Sequence, residues 1–347
     1  MDFGLLLAFR NPLKWKRNWA DVYAEHIDQA VYAEELGYDT IWTTEHHFAE
    51  DGWSPSLLPI LSAIGARTRS IRIGTFIIVL PFHHPVRVAE DAATVDIISN
   101  GRLDLGLGQG YWVSEFNSFD ISRKQRASRL REGTEIINKC FTEENFDYEG
   151  KYFTLRDIEL NPRPIQQPGP PIWVAAMAEN TVRRVAQQGY HLAGSGGADL
   201  QQFYDDELKR LGRNPDDFKI SQLRAVYVAE TREQAWDDCE QHLHYMMSLY
   251  DRRYKEADDM EWGSSVMSAP QVPPPGELRH ASDISFFNAP LIVGTPKDAI
   301  AEIERYSAET RVTHLCMWMQ MAGMPTEKAR KSMSLFASEV MPHFRNK

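Results

Sequence analysis

Two rhythms of apolar residues alternate along this chain. Short, nearly continuous apolar runs are followed by stretches in which apolar residues recur every three or four positions, which predicts strands followed by helices. Phe3–Ala8 is the first run. Over Trp19–Leu36 the spacing of Val22, His26, Ala30, Ala33 and Leu36 predicts a helix, stopped by Gly37. Ile41 and Trp42 carry the second strand, and Leu57, Ile60, Leu61 and Ile64 give a helix over Ser56–Arg67 its apolar side. Ile71–Leu80 is β-branched almost throughout, as expected of one parallel strand buried on both faces. Pro85 suits the first turn of a helix running through Ile98. Gly101 breaks that helix, and Leu103, Leu105 and Leu107 alternate into a fourth strand.

The second half keeps the rhythm with interruptions. Helices are predicted over Arg126–Phe141, Thr181–Gln188, Asp199–Leu211, Thr231–Tyr254 and Thr326–Met341, and strands over Ile172–Ala176, Leu192–Ala193, Gln222–Ala229 and His314–Met319. Phe146–Phe153 reads as a hairpin-like insertion, and the proline-rich stretch from Asn161 to Pro171 as a surface connector. Lys255–Ala289 fits neither rhythm. It contains Pro270, Pro273, Pro274, Pro275 and Gly276, and reads as a lid or as a disordered, inert insertion. Alternation with short connections predicts an α/β fold, a (β/α)8 TIM barrel with insertions, formed as one domain over residues 1–347.

Composition narrows the function. With 43% hydrophobic residues the chain can bury a large core. A net charge of −11 argues against nucleic acid or an anionic membrane as partner. No apolar run is long enough to span a bilayer, and Met1-Asp2-Phe3-Gly4-Leu5 lacks the basic start of a signal peptide. Cys140, Cys239 and Cys316 are too few and too scattered for a disulfide framework or a zinc ribbon, so a reducing cytoplasm is expected.

The candidate chemistry lies where the second strand opens into a loop, at Glu45-His46-His47. In a barrel, catalytic groups sit at this end of the strands. A carboxylate beside two imidazoles offers acid, base and orientation, although a His pair at a strand end can also be structural. If the backbone stays extended, His46 and His47 point to opposite faces and cannot share an ion, and this strand has no His-x-His pair. No metal is therefore expected. Gly106, Gly108 and Gly110 do not form a dinucleotide fingerprint or a P-loop. They permit either the close approach of a planar ring or tight packing. His83 and His84 read as loop-packing residues, and Glu90 and Asp91 as a solvated helix face.

Leu36-Gly37-Tyr38-Asp39-Thr40-Ile41-Trp42 with Glu45-His46-His47-Phe48 resembles the bacterial-luciferase-like flavin-dependent monooxygenases. The resemblance continues through Gly74–Pro81 with His84-Pro85-Val86-Arg87, through Gly101-Arg102-Leu103 with the three glycines, and through Val293-Gly294-Thr295-Pro296, ending at Phe336–Pro342. It implies a two-component FMN-dependent monooxygenase. A separate flavin reductase would supply reduced flavin, which with O2 would oxidise a small organic substrate such as an aldehyde, ketone or alkene. It further implies His46 as the acid/base and Glu45 as the group that orients the imidazole or the flavin ring. Thr75-Phe76-Ile77 falls where the family has a non-prolyl cis peptide under the flavin, Gly108 falls beside the ring, and Trp112 is counted among the flavin-site residues. Arg126 matches the phosphate arginine, whereas Gln109 stands in place of a second arginine, Ala178 in place of a serine and Met177 in place of a glutamate; Thr181 and Ser195 are retained. The helices Ser56–Arg67 and Pro85–Ile98 would form a homodimer interface. Two other readings remain: an F420-dependent reductase or dehydrogenase on the same barrel, and a non-catalytic partner subunit.

Overall fold

The computed structural model describes residues 1–194, 197–255, 272–281, 285–286 and 289–345. Eight parallel strands close into a barrel: β1 (Asp2–Leu7), β2 (Thr40–Thr43), β3 (Arg72–Thr75), β4 (Leu103–Gly108), β5 (Ile172–Ala175), β6 (His191–Ala193), β7 (Ser221–Val228) and β8 (His314–Trp318). Each pairs with the next in sequence, and β8 pairs back onto β1. A single bridge, Leu192 to Ile220, joins β6 to β7 and completes the ring. The helices form the outer layer: α1 (Trp19–Glu35), α2 (Leu57–Arg67), α3 (Pro85–Ile98), α4 (Val113–Ser118), α5 (Arg126–Thr142), α6 (Glu179–Gln188), α7 (Ala198–Arg210), α8 (Arg232–Lys255), α9 (Pro296–Glu309) and α10 (Thr326–Glu339). None of the described helices is long and apolar enough to cross a membrane.

The aliphatic face of each strand packs outward against these helices, with Ile41, Ile73, Leu103 and Leu105 fully buried. The barrel interior is aromatic. Trp42 meets Trp173 edge-to-face at 5.6 Å. Trp42 fits because its neighbours lack side chains. A Cβ on Gly4 would lie 2.5 Å from Trp42 Nε1, and one on Gly74 would lie 2.4 Å from Trp42 Cζ3.

Three predicted elements differ. The Ile71–Leu80 run is not one strand: β3 stops at Thr75, and pairing resumes only at Ile78–Val79. The Phe76–Ile77 peptide between them is cis. Thr75 fixes the break, since its Oγ1 donates to Gly106 O at 2.7 Å and accepts from Gly106 N–H at 2.8 Å. Continuous apolarity hides such a break because both sides of it are buried. Second, a strand at Ile292–Gly294 lies on β7 and leads into α9, an element pair that the hydrophobic rhythm did not reveal. A capping box starts α9, with the Thr295 N–H donating to Asp298 Oδ2 at 2.8 Å and Asp298 N–H to Thr295 Oγ1 at 3.3 Å. Third, part of Lys255–Ala289 is ordered against the body. Leu278 is fully buried, and Arg279 pairs with Glu240 and Asp237. Residues 256–271, where the lid was expected, lie outside the described residues. The hairpin insertion is present as Phe146–Glu149 against Thr154–Ile158.

Candidate active site

β2 ends at Thr43, and the chain turns outward through Thr44–Phe48 at the carboxyl end of the barrel. The imidazole of His46 is 5% exposed and is held on three sides. Its Nδ1 donates to Glu115 Oε1 at 3.0 Å. Trp112 stacks on the ring at 3.7 Å and 15°, and Trp53 meets it edge-on at 4.4 Å. The backbone N–H of His47 donates to the same Glu115 oxygen at 2.7 Å. Glu115 is 1% exposed and comes from α4, immediately after the loop that follows β4. A buried carboxylate accepting from Nδ1 fixes ring orientation and tautomer, so proton exchange with a bound molecule falls to Nε2.

Glu45 binds His47 and His83 and not His46, which corrects the expectation that it orients the His46 imidazole and leaves its other expected role, toward the flavin ring, as it was. Its Oε1 accepts from Nε2 of His47 at 2.7 Å and from Nε2 of His83 at 2.8 Å, and its Oε2 accepts from the Val79 N–H at 3.3 Å. Burial alone would raise the Glu45 carboxyl, but the two imidazole hydrogen bonds outweigh it and hold it below the usual range. Burial opposes charge on His83 as well, and the carboxylate of Glu45 prevails and raises it. The two directions agree on an ion pair. His83, read as loop packing, therefore belongs to the same polar cluster as Glu45. His46 and His47 do point apart, but they do so from a loop and not from an extended strand.

Beside these groups is a cavity of about 150 Å³ with largely apolar walls. Phe76, Ile77, Gly108, Gln109 and Met177 line it, together with Glu45, His46 and Glu115. Thr75 does not face it; its hydroxyl is spent on Gly106. Trp112 acts from behind, through His46. Ala178 caps the amino end of α6 without a side-chain hydrogen bond, and Thr181 stands in the first turn with its N–H on Ala178 O. Arg126 opens α5, half-buried, with Nη1 donating to Arg123 O at 3.4 Å. Ser195 lies outside the described residues. Gly108 lines the cavity and is tightly packed, since a Cβ there would lie 2.5 Å from Ile77 Cδ1.

Sequence reasoning missed Glu115, whose pairing with His46 spans 69 positions. The one available signal was an acidic residue in the first turn of a helix just after the glycine-rich strand end. It also missed Tyr250 and Leu223, which close the cavity from α8 and β7.

Comparison with known proteins bears on the family and the fold. The model of the family described as luciferase-like monooxygenase matches residues 1–314. The oxygenase component of the flavin-dependent trigonelline monooxygenase of Acinetobacter baylyi is 26% identical, over 93% of this chain and 90% of its own length. An F420-dependent glucose-6-phosphate dehydrogenase of Amycolatopsis mediterranei is also 26% identical, over 92% and 94%. Among solved structures, the monooxygenase RslO1 of Streptomyces bottropensis superposes with a TM-score of 0.81 at 26% identity, covering 99% of this chain and all of that one. The oxygenating constituent of 3,6-diketocamphane monooxygenase from Pseudomonas putida, in complex with FMN, shares the fold with a TM-score of 0.78 at 20% identity, over 99% and 98%.

Proposed function

Because the chain belongs to the luciferase-like monooxygenase family, we propose that it is the oxygenase of a two-component system that uses reduced FMN and O2 to oxidise a small organic molecule. The observation that carries this reading is the buried His46–Glu115 pair at the wall of an apolar cavity, on the barrel face where catalytic groups gather. The trigonelline relative is described as an oxygenase component, which supports a separate flavin reductase as partner.

The residues present suit a flavin. Phe76, Ile77 and Met177 offer an apolar bed for a planar ring, and Gly108 leaves the strand end free of a side chain. The amino ends of α6 and α7 lack side-chain caps, and their first backbone N–H groups, with the Arg126 guanidinium and the Thr181 hydroxyl, would hold the phosphate. Bound reduced flavin would supply the electrons that activate O2. The protein would keep water out with its aromatic walls and move a proton at His46 Nε2, with Glu115 holding Nδ1. The whole of residues 1–347 would act as one catalytic unit. It would pair through α2 and α3, where Ile97 and Ile98 are exposed, and would work in the cytoplasm, as three buried free thiols suggest.

Anaerobic titration with reduced FMN and reduced F420 tests the cofactor. Tighter binding of FMN is expected; tighter binding of F420 would replace this reading with the reductase one that the glucose-6-phosphate dehydrogenase relative brings in.

A further inference from the structure

We propose that Glu45, His47 and His83 form a binding site for a divalent first-row transition-metal ion beside the flavin cavity. Nothing in the oxygenase reading requires an ion here, and the site stands or falls independently of it. The donor set is two imidazoles and one carboxylate, which suits Zn²⁺, Co²⁺ or Fe²⁺ and does not favour Ca²⁺ or Mg²⁺. The sequence predicts no metal, on the ground that His46 and His47 point apart, and this site does not use that pair. The pair on one side is Glu45 and His47, two residues apart, and His83 joins them from 38 residues away.

The geometry is close to that of a ligand set. Both Nε2 atoms converge on one oxygen, Glu45 Oε1, at 2.7 and 2.8 Å. All three donor atoms lie within 4.8 Å of one another. A tetrahedral ion with bonds of about 2.1 Å separates adjacent donors by roughly 3.4 Å, so the two nitrogen–oxygen edges would open by about 0.6–0.7 Å, within reach of side-chain rotation. The donors are also held in place. The Val79 N–H holds Glu45 Oε2, which leaves Oε1 turned toward the imidazoles. Phe119 packs edge-on against His47 at 4.8 Å and stacks on Phe82, the neighbour of His83, at 4.7 Å. The Glu45 side chain is 1% exposed and that of His83 is 33% exposed, so an ion would enter from the His83 side. Three protein ligands leave further coordination positions for water or a bound molecule.

The test uses the full-length protein freed of metal with a chelator and then titrated with Co²⁺. Binding is followed by visible Co²⁺ absorption and by calorimetry. One Co²⁺ per chain is expected, displaced by Zn²⁺. His83→Gln and His47→Gln should each weaken binding by at least ~10-fold, the scale at which even supporting groups of a metal site act. His84→Gln, the exposed neighbour outside the trio, should leave it unchanged, and circular dichroism would confirm that the variants fold. Failure of the wild-type protein to bind Co²⁺ or Zn²⁺ stoichiometrically would overturn the proposal. Equal affinity in the His47→Gln/His83→Gln double variant would overturn it as well, since the ion would then sit elsewhere.

Discussion

Replacing Glu115 separates the two carboxylates around the histidines. Glu115→Gln keeps the side chain's shape and one acceptor oxygen but removes the charge. The oxygen it alters accepts from His46 Nδ1 at 3.0 Å and from the His47 N–H at 2.7 Å, both in a buried setting. A hydrogen bond to a charged group contributes about 1.5–3 kcal/mol, against about 0.5–1.5 kcal/mol for a neutral one. The net loss at His46 is therefore about 1–1.5 kcal/mol, or roughly 5- to 13-fold in rate if it is felt in the transition state. Glu115→Ala should do something different. It leaves two buried donors unpaired at about 1–3 kcal/mol each, so its main effect should be destabilisation of about 2–6 kcal/mol. The assay is the fraction of reduced FMN that yields product and not hydrogen peroxide, measured beside the dissociation constant for reduced FMN. Glu115→Gln should bind FMN as wild type does, with roughly tenfold slower product formation. If Glu115→Gln kept full coupling while Glu45→Gln lost it, Glu45 and not Glu115 would be the working partner of His46.

Other expectations follow from single contacts. Gly74→Ala should cost about 1–3 kcal/mol by forcing a methyl against Trp42, and part of that should return in the Gly74→Ala/Trp42→Phe double variant; denaturant midpoints decide. Burial pushes the His26 imidazole down from 6.5 to about 4, so the unfolded chain takes up this proton at higher pH than the folded one. The corresponding stability is fully present above 6.5 and is lost as pH falls toward 4, by about 3 kcal/mol in all; His26→Gln should flatten that stretch of the stability–pH curve. Gln109→Arg should tighten binding of reduced FMN by adding a positive charge at the lip of the cavity, and an unchanged affinity would mean that residue 109 does not face the phosphate.

Much of the barrel was legible because buried parallel strands are continuous apolar runs and their covering helices are amphipathic. β7 is buried at every position from Ser221 to Val228 and was readable for that reason. Ile292–Gly294 was not, because a three-residue strand after a proline-rich stretch has no period to detect, and α9 went unread with it although Ala299, Ile303 and Tyr306 recur at helical spacing. The capping signal at Thr295-Pro296-Lys297-Asp298 was present all the same. His46 and Glu45 could be singled out from one triplet at a strand end. Their partners could not, since Glu115 and His83 reach them only through the folded topology, across 69 and 38 positions. Spacing along the chain shows a residue's neighbours but not its partners, and Glu45 bonds His47 and His83 while His46 bonds Glu115.

The most direct test of the oxygenase assignment is the fate of isotopically labelled O2. Wild-type protein, reduced FMN and a panel of aldehydes, ketones, alkenes and aromatic heterocycles would be mixed under labelled oxygen, and the products weighed by mass spectrometry. One labelled oxygen atom should appear in the product of the true substrate, and His46→Ala should lose most of it, by about 10²–10⁴ in rate, while still binding reduced FMN. Absence of labelled product across the panel, together with oxygen-independent turnover of oxidised F420 by any alcohol or sugar phosphate, would contradict the assignment.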